Sequence, residues 1–220
     1  VMILDRTGRL VVFATPAGCG QRGLRRPSSK ILSGVLNMDA STLKVFSIFY
    51  SIQGESTYAG LPCVFVRLAG CSAGCSYCDT QEAATADGVE MGIEEVLGKV
   101  AVYVPRIVEV TGGEPLEQRE TGALLSALCD HGYHVLLETG GTYPIGELDK
   151  RVEVILDIKT PGSKVSSKFH EANLDCLDDR AVQVKFVICS RGDFDYAMDL
   201  VRKHQLVDRC PVLVSPTAGL

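Results

Sequence analysis

Val64-Phe-Val-Arg67-Leu-Ala-Gly-Cys71-Ser-Ala-Gly-Cys75-Ser-Tyr77-Cys78 joins a short apolar run to three cysteines spaced C-x3-C-x2-C. The run 64–68 is valine-rich and bounded by small residues, which predicts a strand buried on both faces. Three soft thiolates on one loop directly after a strand can hold three irons of a [4Fe–4S] cluster and leave the fourth iron open. Zinc is the competing reading, but a closed zinc site takes four protein ligands. Cys63 is a candidate fourth, and it sits near the start of the strand, at the end away from the triad.

Working outward, similar β-branched runs recur at 107–111, 134–138, 152–158, 182–188 and 212–215. Helix-like stretches lie at 93–103, 116–130 and 195–204, so strands alternate with helices between most of the runs. That alternation predicts an α/β fold with a mainly parallel six-stranded sheet, closed only in part: an open β/α barrel with incomplete crossover helices. No fixed-period repeat interrupts it. In such folds the site lies outside the carboxyl ends of the strands. The residues there are polar or Gly-rich in three successive cases: Thr111-Gly-Gly113-Glu114-Pro, Glu138-Thr139-Gly-Gly141 and Asp157-Ile-Lys159. The glycines allow close approach of backbone, and Glu114 can accept from a cationic amine. Each segment alone is also an ordinary turn or cap; as a series on one rim they form a cofactor-lined mouth. Lys185 lies inside the run 182–188, where it either points into the barrel or snorkels.

The chain has 220 residues with 46% hydrophobic and 22% charged side chains, enough to bury a sizeable core. The net charge is −5 and tryptophan is absent, which argues against a nucleic-acid coat and against an aromatic platform for single strands. No apolar run approaches a membrane span. Nine cysteines without a regular framework suit a reduced, metal-binding cytoplasmic protein, not a disulfide scaffold. Residues 1–37 differ from the rest, with six basic side chains against Asp5 alone, a net of +5 that leaves −10 on residues 38–220. They read as a basic N-terminal extension, disordered or non-native, with the core domain starting at Met38; an Arg- and Ser-rich transit peptide is the other reading.

The open three-cysteine site in a partial barrel resembles the radical S-adenosylmethionine superfamily, with Tyr77 at its aromatic position near the adenine. Upstream, Ser51-Ile52-Gln53-Gly54-Glu55 precedes Gly60-Leu-Pro62, and downstream come Asp79-Thr80, Thr111-Gly-Gly-Glu-Pro-Leu116 and Glu138-Thr-Gly-Gly141. As a set, from about Lys44 to the end, this resembles the 7-carboxy-7-deazaguanine synthase family. The resemblance implies a lyase that converts 6-carboxy-5,6,7,8-tetrahydropterin to 7-carboxy-7-deazaguanine with loss of ammonia, in queuosine or deazapurine biosynthesis. It implies a [4Fe–4S] cluster on Cys71, Cys75 and Cys78, and Mg2+ on Thr80. S-adenosylmethionine would be contacted by Tyr77, Cys78, Asp79, Gly113, Glu114, Thr139, Asp157 and Lys159. The pterin would be lined by Ile52, Gln53, Gly54, Glu55 and Thr111, with Gln53 and Glu55 on its guanine-like edge and Arg67 on its carboxylate. It further implies an electron donor such as flavodoxin or ferredoxin, a homodimer, and no direct contact with nucleic acid or membrane. The family continues past Val-Ser-Pro into a helix and a strand reading like Q-L-H-K, so a chain ending at Leu220 reads as C-terminally truncated. A glycyl-radical-enzyme activase shares the triad without needing Ser-Ile-Gln-Gly-Glu or Asp79-Thr80, and a non-catalytic iron–sulfur or zinc module is the third reading.

Overall fold

The computed structural model describes residues 2–5, 9–12 and 42–217. In chain order the strands are β1 (Met2–Leu4), β2 (Leu10–Val12), β3 (Thr42–Ile52), β4 (Pro62–Leu68), β5 (Val89–Gly92), β6 (Ile107–Gly112), β7 (His134–Thr139), β8 (Glu153–Asp157), β9 (Val182–Ile188) and β10 (Val212–Pro216). The α-helices are α1 (Gln81–Thr85), α2 (Ile93–Val100), α3 (Thr121–Asp130), α4 (Arg191–His204) and α5 (Leu206–Arg209). All ten strands form one open sheet in the order β2-β1-β10-β9-β8-β7-β6-β4-β3-β5. Its centre is the expected run of six parallel strands, β4 and β6 through β10, each beside its predecessor.

Side chains alternate between two environments along each central strand, as the two-residue period of a strand requires. Outward positions Val66, Leu68, Val108, Val110, Val135, Leu137, Val154, Leu156, Val184 and Phe186 are buried in one core. Helix residues Val96 and Val100 (α2), Leu124, Leu125 and Leu128 (α3) and Ala197 and Val201 (α4) cover them. Inward positions carry Phe65, Arg67, Glu109, Thr111, Glu138, Asp157, Lys185 and Ser215, all lining one cavity. Lys185 therefore points into the barrel.

Only α2, α3 and α4 serve as full crossover helices. α3 starts at Thr121, later than its apolar pattern suggests, because Pro115–Glu117 forms a 3-10 turn capped by the Glu114 side chain. α4 starts earlier, at Arg191, where the Ser190 hydroxyl accepts from the Asp193 N–H at 3.2 Å. Between β8 and β9 the chain makes only 3-10 turns, including Pro161–Ser163, Ser166–Lys168 and Glu171–Asp178.

Two antiparallel additions flank the parallel core, and neither follows from strand–helix alternation. On one side β3 pairs with β4 and β5. On the other, β1 pairs with β10 and β2 with β1. The expectation that residues 1–37 lie outside the folded domain therefore does not hold for these two strands. The N–H and C=O groups along the free edge of β10 need partners, and Met2–Leu4 supplies them while burying Leu4. Residues 13–41, with Met38, lie outside the described residues, as do 218–220. No helix among the described residues is long and apolar enough to cross a membrane, and every described cysteine is a free thiol.

Candidate active site

The cavity has a volume of about 690 Å³. Its rim comes from loops at the carboxyl ends of the strands, and its floor from the segment that follows β3.

The cysteine loop forms the first part of the rim and is held from three sides. The Ser72 N–H and hydroxyl donate to Glu117 Oε1 at 2.8 and 2.7 Å. Lys168 Nζ donates to the carbonyls of Ser72 and Ala73 at 2.8 and 2.9 Å. The Ser76 N–H and hydroxyl donate to the carbonyls of Ser163 and Gly162 at 3.0 and 2.7 Å. Gly74 takes φ +75°, a left-handed turn that a residue with Cβ adopts only with strain. Cys71, Cys75 and Cys78 all line the cavity. Burial raises the thiols of Cys71 and Cys75, and for Cys75 the nearby Lys159 ammonium works the other way. Among the described residues no three His, Cys, Asp or Glu side chains converge on a single-ion point. Three thiols on one loop match the three protein ligands of an open cluster, whereas a closed zinc site takes four. Cys63 is fully buried within β4, its thiol pushed up to about 12 by burial and then by Glu109. It does not line the cavity.

The Thr111–Glu114 segment packs on the start of the cysteine loop. The Gly113 and Glu114 N–H groups donate to the carbonyls of Leu68 and Gly70 at 3.1 and 3.0 Å. A Cβ on Gly112 or Gly113 would collide with that backbone, and Gly112 has φ +137°. The glycine pair is thus required for backbone-on-backbone contact, in addition to any approach by a ligand. Glu114 is buried and bridges strands: it accepts from the Thr139 hydroxyl at 2.7 Å, the Gly140 N–H at 2.9 Å and the Leu116 N–H at 3.1 Å. Burial raises its carboxyl, and these three donors oppose that.

At the end of β8, Asp157 Oδ2 accepts from Lys159 at 2.9 Å and lies 3.3 Å from Lys185. Burial opposes the charge on Asp157, but the two ammonium groups outweigh it and hold the carboxyl low. Its Oδ1 is buried without a partner, as is Ser215 Oγ. Lys159 also stands over the Tyr77 ring, 5.8 Å from its centroid. Thr80 donates to Asp79 Oδ1 at 2.7 Å, which places two hard oxygen donors side by side.

The floor explains how the Gln53–Glu55 segment reaches the interior. Residues 53–61 cross beneath the strand starts, where the Thr57 N–H donates to Gln183 Oε1 at 2.9 Å and the Tyr58 hydroxyl to Glu153 Oε2 at 2.7 Å. The Tyr58 ring sits 4.9 Å from that of His134, at the start of β7. Thus anchored, Gln53, Gly54 and Glu55 enter the cavity from below. Glu55 and Glu138 both pair with Lys185, the latter at 2.5 Å. Burial raises Glu55 to about 7, reinforced by Glu138 and opposed by Lys185. Burial also opposes ionisation of Glu138 and Lys185, but charge attraction outweighs it: Lys185 lowers Glu138, and Asp157 with Glu138 and Glu55 raises Lys185.

Of the cluster, cofactor, Mg2+ and substrate residues that the resemblance implies, all but one line this cavity. Ile52 does not: it ends β3 opposite Pro62 with its side chain half exposed. Glu109 is the chief residue that motif reading misses. Its signal is the strand period, since on β6 it shares the inward phase of Thr111.

Residues 66–207 match the Radical SAM superfamily. The chain is 45% identical over 179 residues to the 7-carboxy-7-deazaguanine synthase of Chlorobaculum tepidum, covering 80% of this chain and 81% of that protein. It is 35% identical over 211 residues to the synthase of the same name from Methanospirillum hungatei, covering 93% and 87%. The chain belongs to the 7-carboxy-7-deazaguanine synthase family of radical SAM proteins. The crystal structure of QueE from Escherichia coli shares the fold, with a TM-score of 0.67 at 22% identity over 80% of this chain and 85% of that one.

The donor set fits the cofactors that this family implies. Three thiols share one loop, and Asp157 and Ser215, which line the same cavity, each carry a buried oxygen without a protein partner. A bound polar ligand would satisfy them.

Proposed function

We propose that this chain converts 6-carboxy-5,6,7,8-tetrahydropterin to 7-carboxy-7-deazaguanine with release of ammonia, in queuosine or deazapurine biosynthesis. The observation that carries the reading is the two-ended cavity: a three-thiol loop at the rim and the Gln53–Glu55 segment at the floor, with Arg67 and Thr111 paired in register between them.

Cys71, Cys75 and Cys78 would hold the [4Fe–4S] cluster. When bound, the cluster and S-adenosylmethionine supply the hydrogen-atom chemistry that the ring contraction needs. Tyr77, Asp79, Gly113, Glu114, Thr139, Asp157 and Lys159 surround S-adenosylmethionine. Glu114 acts chiefly by bracing the ends of β6 and β7, since three protein donors already engage it. Thr80, with Asp79 beside it, would hold Mg2+, which would supply Lewis-acid chemistry toward the substrate. Arg67 has no ion pair among the described residues and stacks 5.8 Å over Phe49, so its guanidinium is positioned and available for a carboxylate. Glu55 gains and loses its proton near neutrality, which suits transfer at a departing amine. The floor segment and the apolar Phe65, Val165 and Phe169 limit water around the substrate.

A flavodoxin or ferredoxin supplies the electron, and the enzyme works in the cytoplasm, a reading supported by its free thiols. A homodimer is supported by exposed Phe46, Tyr50 and Ile52 on β3, with Leu61 beside them. The test of the proposal is ammonia release from 6-carboxytetrahydropterin by the anaerobically reconstituted protein with reductant, S-adenosylmethionine and Mg2+. Cys75→Ala should abolish it. A glycyl-radical signal on a partner protein, without ammonia release, would favour an activase instead.

A further inference from the structure

Glu109 is 3% exposed, yet it lines the cavity and has no cation within ion-pair distance among the described residues. The hydrogen bond that reaches its carboxyl comes from Gln53 Nε2, to Oε2. A buried carboxyl with a single partner is costly, and where it faces a cavity it marks a place for a ligand with hydrogen to donate.

The other polar groups of the floor are already committed. Gln53 gives one N–H to Glu109, and its carbonyl accepts from the Glu55 N–H at 3.1 Å. Glu55 and Glu138 are held by Lys185, and Asp157 by Lys159 and Lys185. Glu55 and Glu138 each spend one oxygen on Lys185. Glu109 differs in being a buried floor carboxyl that no ammonium group engages among the described residues.

We propose that Glu109 is a specificity-determining residue that accepts hydrogen bonds from the ring N–H and 2-amino group of the pterin. The inference rests on the pterin reading of the cavity. Adjacent N–H donors of a 2-aminopyrimidinone match the two oxygens of a carboxylate and would favour that ionised form against the effect of burial, while Gln53 holds the group in place from the side. A site built to receive such donors rejects an analogue lacking them far more strongly than an apolar pocket rejects a change of shape.

The experiment compares 6-carboxypterin with 6-carboxylumazine, its 2-oxo counterpart, by fluorescence titration. The protein is reconstituted anaerobically and loaded with S-adenosylmethionine and Mg2+. Wild type should prefer the pterin by about tenfold or more. Glu109→Gln, whose amide can donate to a 2-oxo group, should lose most of that preference while keeping its iron content and cluster absorbance. A loss of affinity for both ligands with the preference intact would overturn the proposal and leave Glu109 as a support for Gln53. Equal binding of both ligands by wild type would also overturn it, with no variant needed, and would leave the function standing. Binding of neither ligand by wild type would overturn the pterin reading itself, and this inference with it.

Discussion

Lys185 shows how far one side chain organises this interior. It meets Glu55 from the floor, Glu138 from β7 and Asp157 from β8. Together with Lys159 it compensates the ionised Glu138 and Asp157, which leaves Glu55 and Glu109 without full compensation. Burial accordingly raises Glu55 to about 7 and Glu109 well above the ordinary carboxyl range. Because the folded-state value of Glu55 exceeds the ordinary 4.5, the folded protein holds this proton more tightly than the unfolded chain does. Its contribution to stability is present below about 4.5 and is lost as pH rises through about 7. Glu55→Gln should therefore flatten the fall in stability across that window, checked by thermal melts of both proteins at matched pH. Parallel melting curves would contradict the assignment. Glu55 was legible in the sequence as a motif residue. Its proton affinity was not, because that depends on burial in the folded cavity and then on Glu138, opposed by Lys185, both distant in the chain.

At the scale of elements, the parallel strands were legible because each is a short, largely aliphatic run. β3 was less so, since Thr42-Leu-Lys-Val-Phe-Ser-Ile-Phe-Tyr-Ser-Ile52 is largely exposed or half-buried along its second half. The connections around β8 carry no periodic signal because distant side chains hold them. Asn173 bonds the carbonyls of Gly141 and Tyr143, and Arg180 bonds those of Ile145, Leu148, Asp149 and Val152. Arg180→Met leaves those carbonyls without their donor and should destabilise by about 2–3 kcal/mol. For a chain of this size that lowers Tm by about 4–12 °C, readable by calorimetry. The turn Ser166–Lys168 has a different use, since Lys168 holds the cysteine loop by two carbonyls. Lys168→Met should make the reconstituted cluster easier to strip with an iron chelator, and Lys168→Arg should restore retention. Equal stripping rates in all three proteins would show that the contact is dispensable.

The described residues form an open barrel with additions at three places. β3 and β5 extend one end of the parallel sheet, β1 and β2 the other, and residues 53–61 plug the bottom. The rim of the cavity was readable because the residues that line it there cluster in short motifs at strand ends. The floor was not, since Glu109, Glu153 and Gln183 take their roles only once the segment after β3 folds beneath the strands. The central claim is that this cavity brings a three-thiol cluster and a carboxylated pterin together for a ring contraction. Its most direct test is mass spectrometry of an anaerobic reaction of the reconstituted protein with dithionite, S-adenosylmethionine, Mg2+ and 6-carboxytetrahydropterin. The expected result is 7-carboxy-7-deazaguanine accumulating over many turnovers, and none with Cys75→Ala. Formation of 5′-deoxyadenosine without that product would contradict the account.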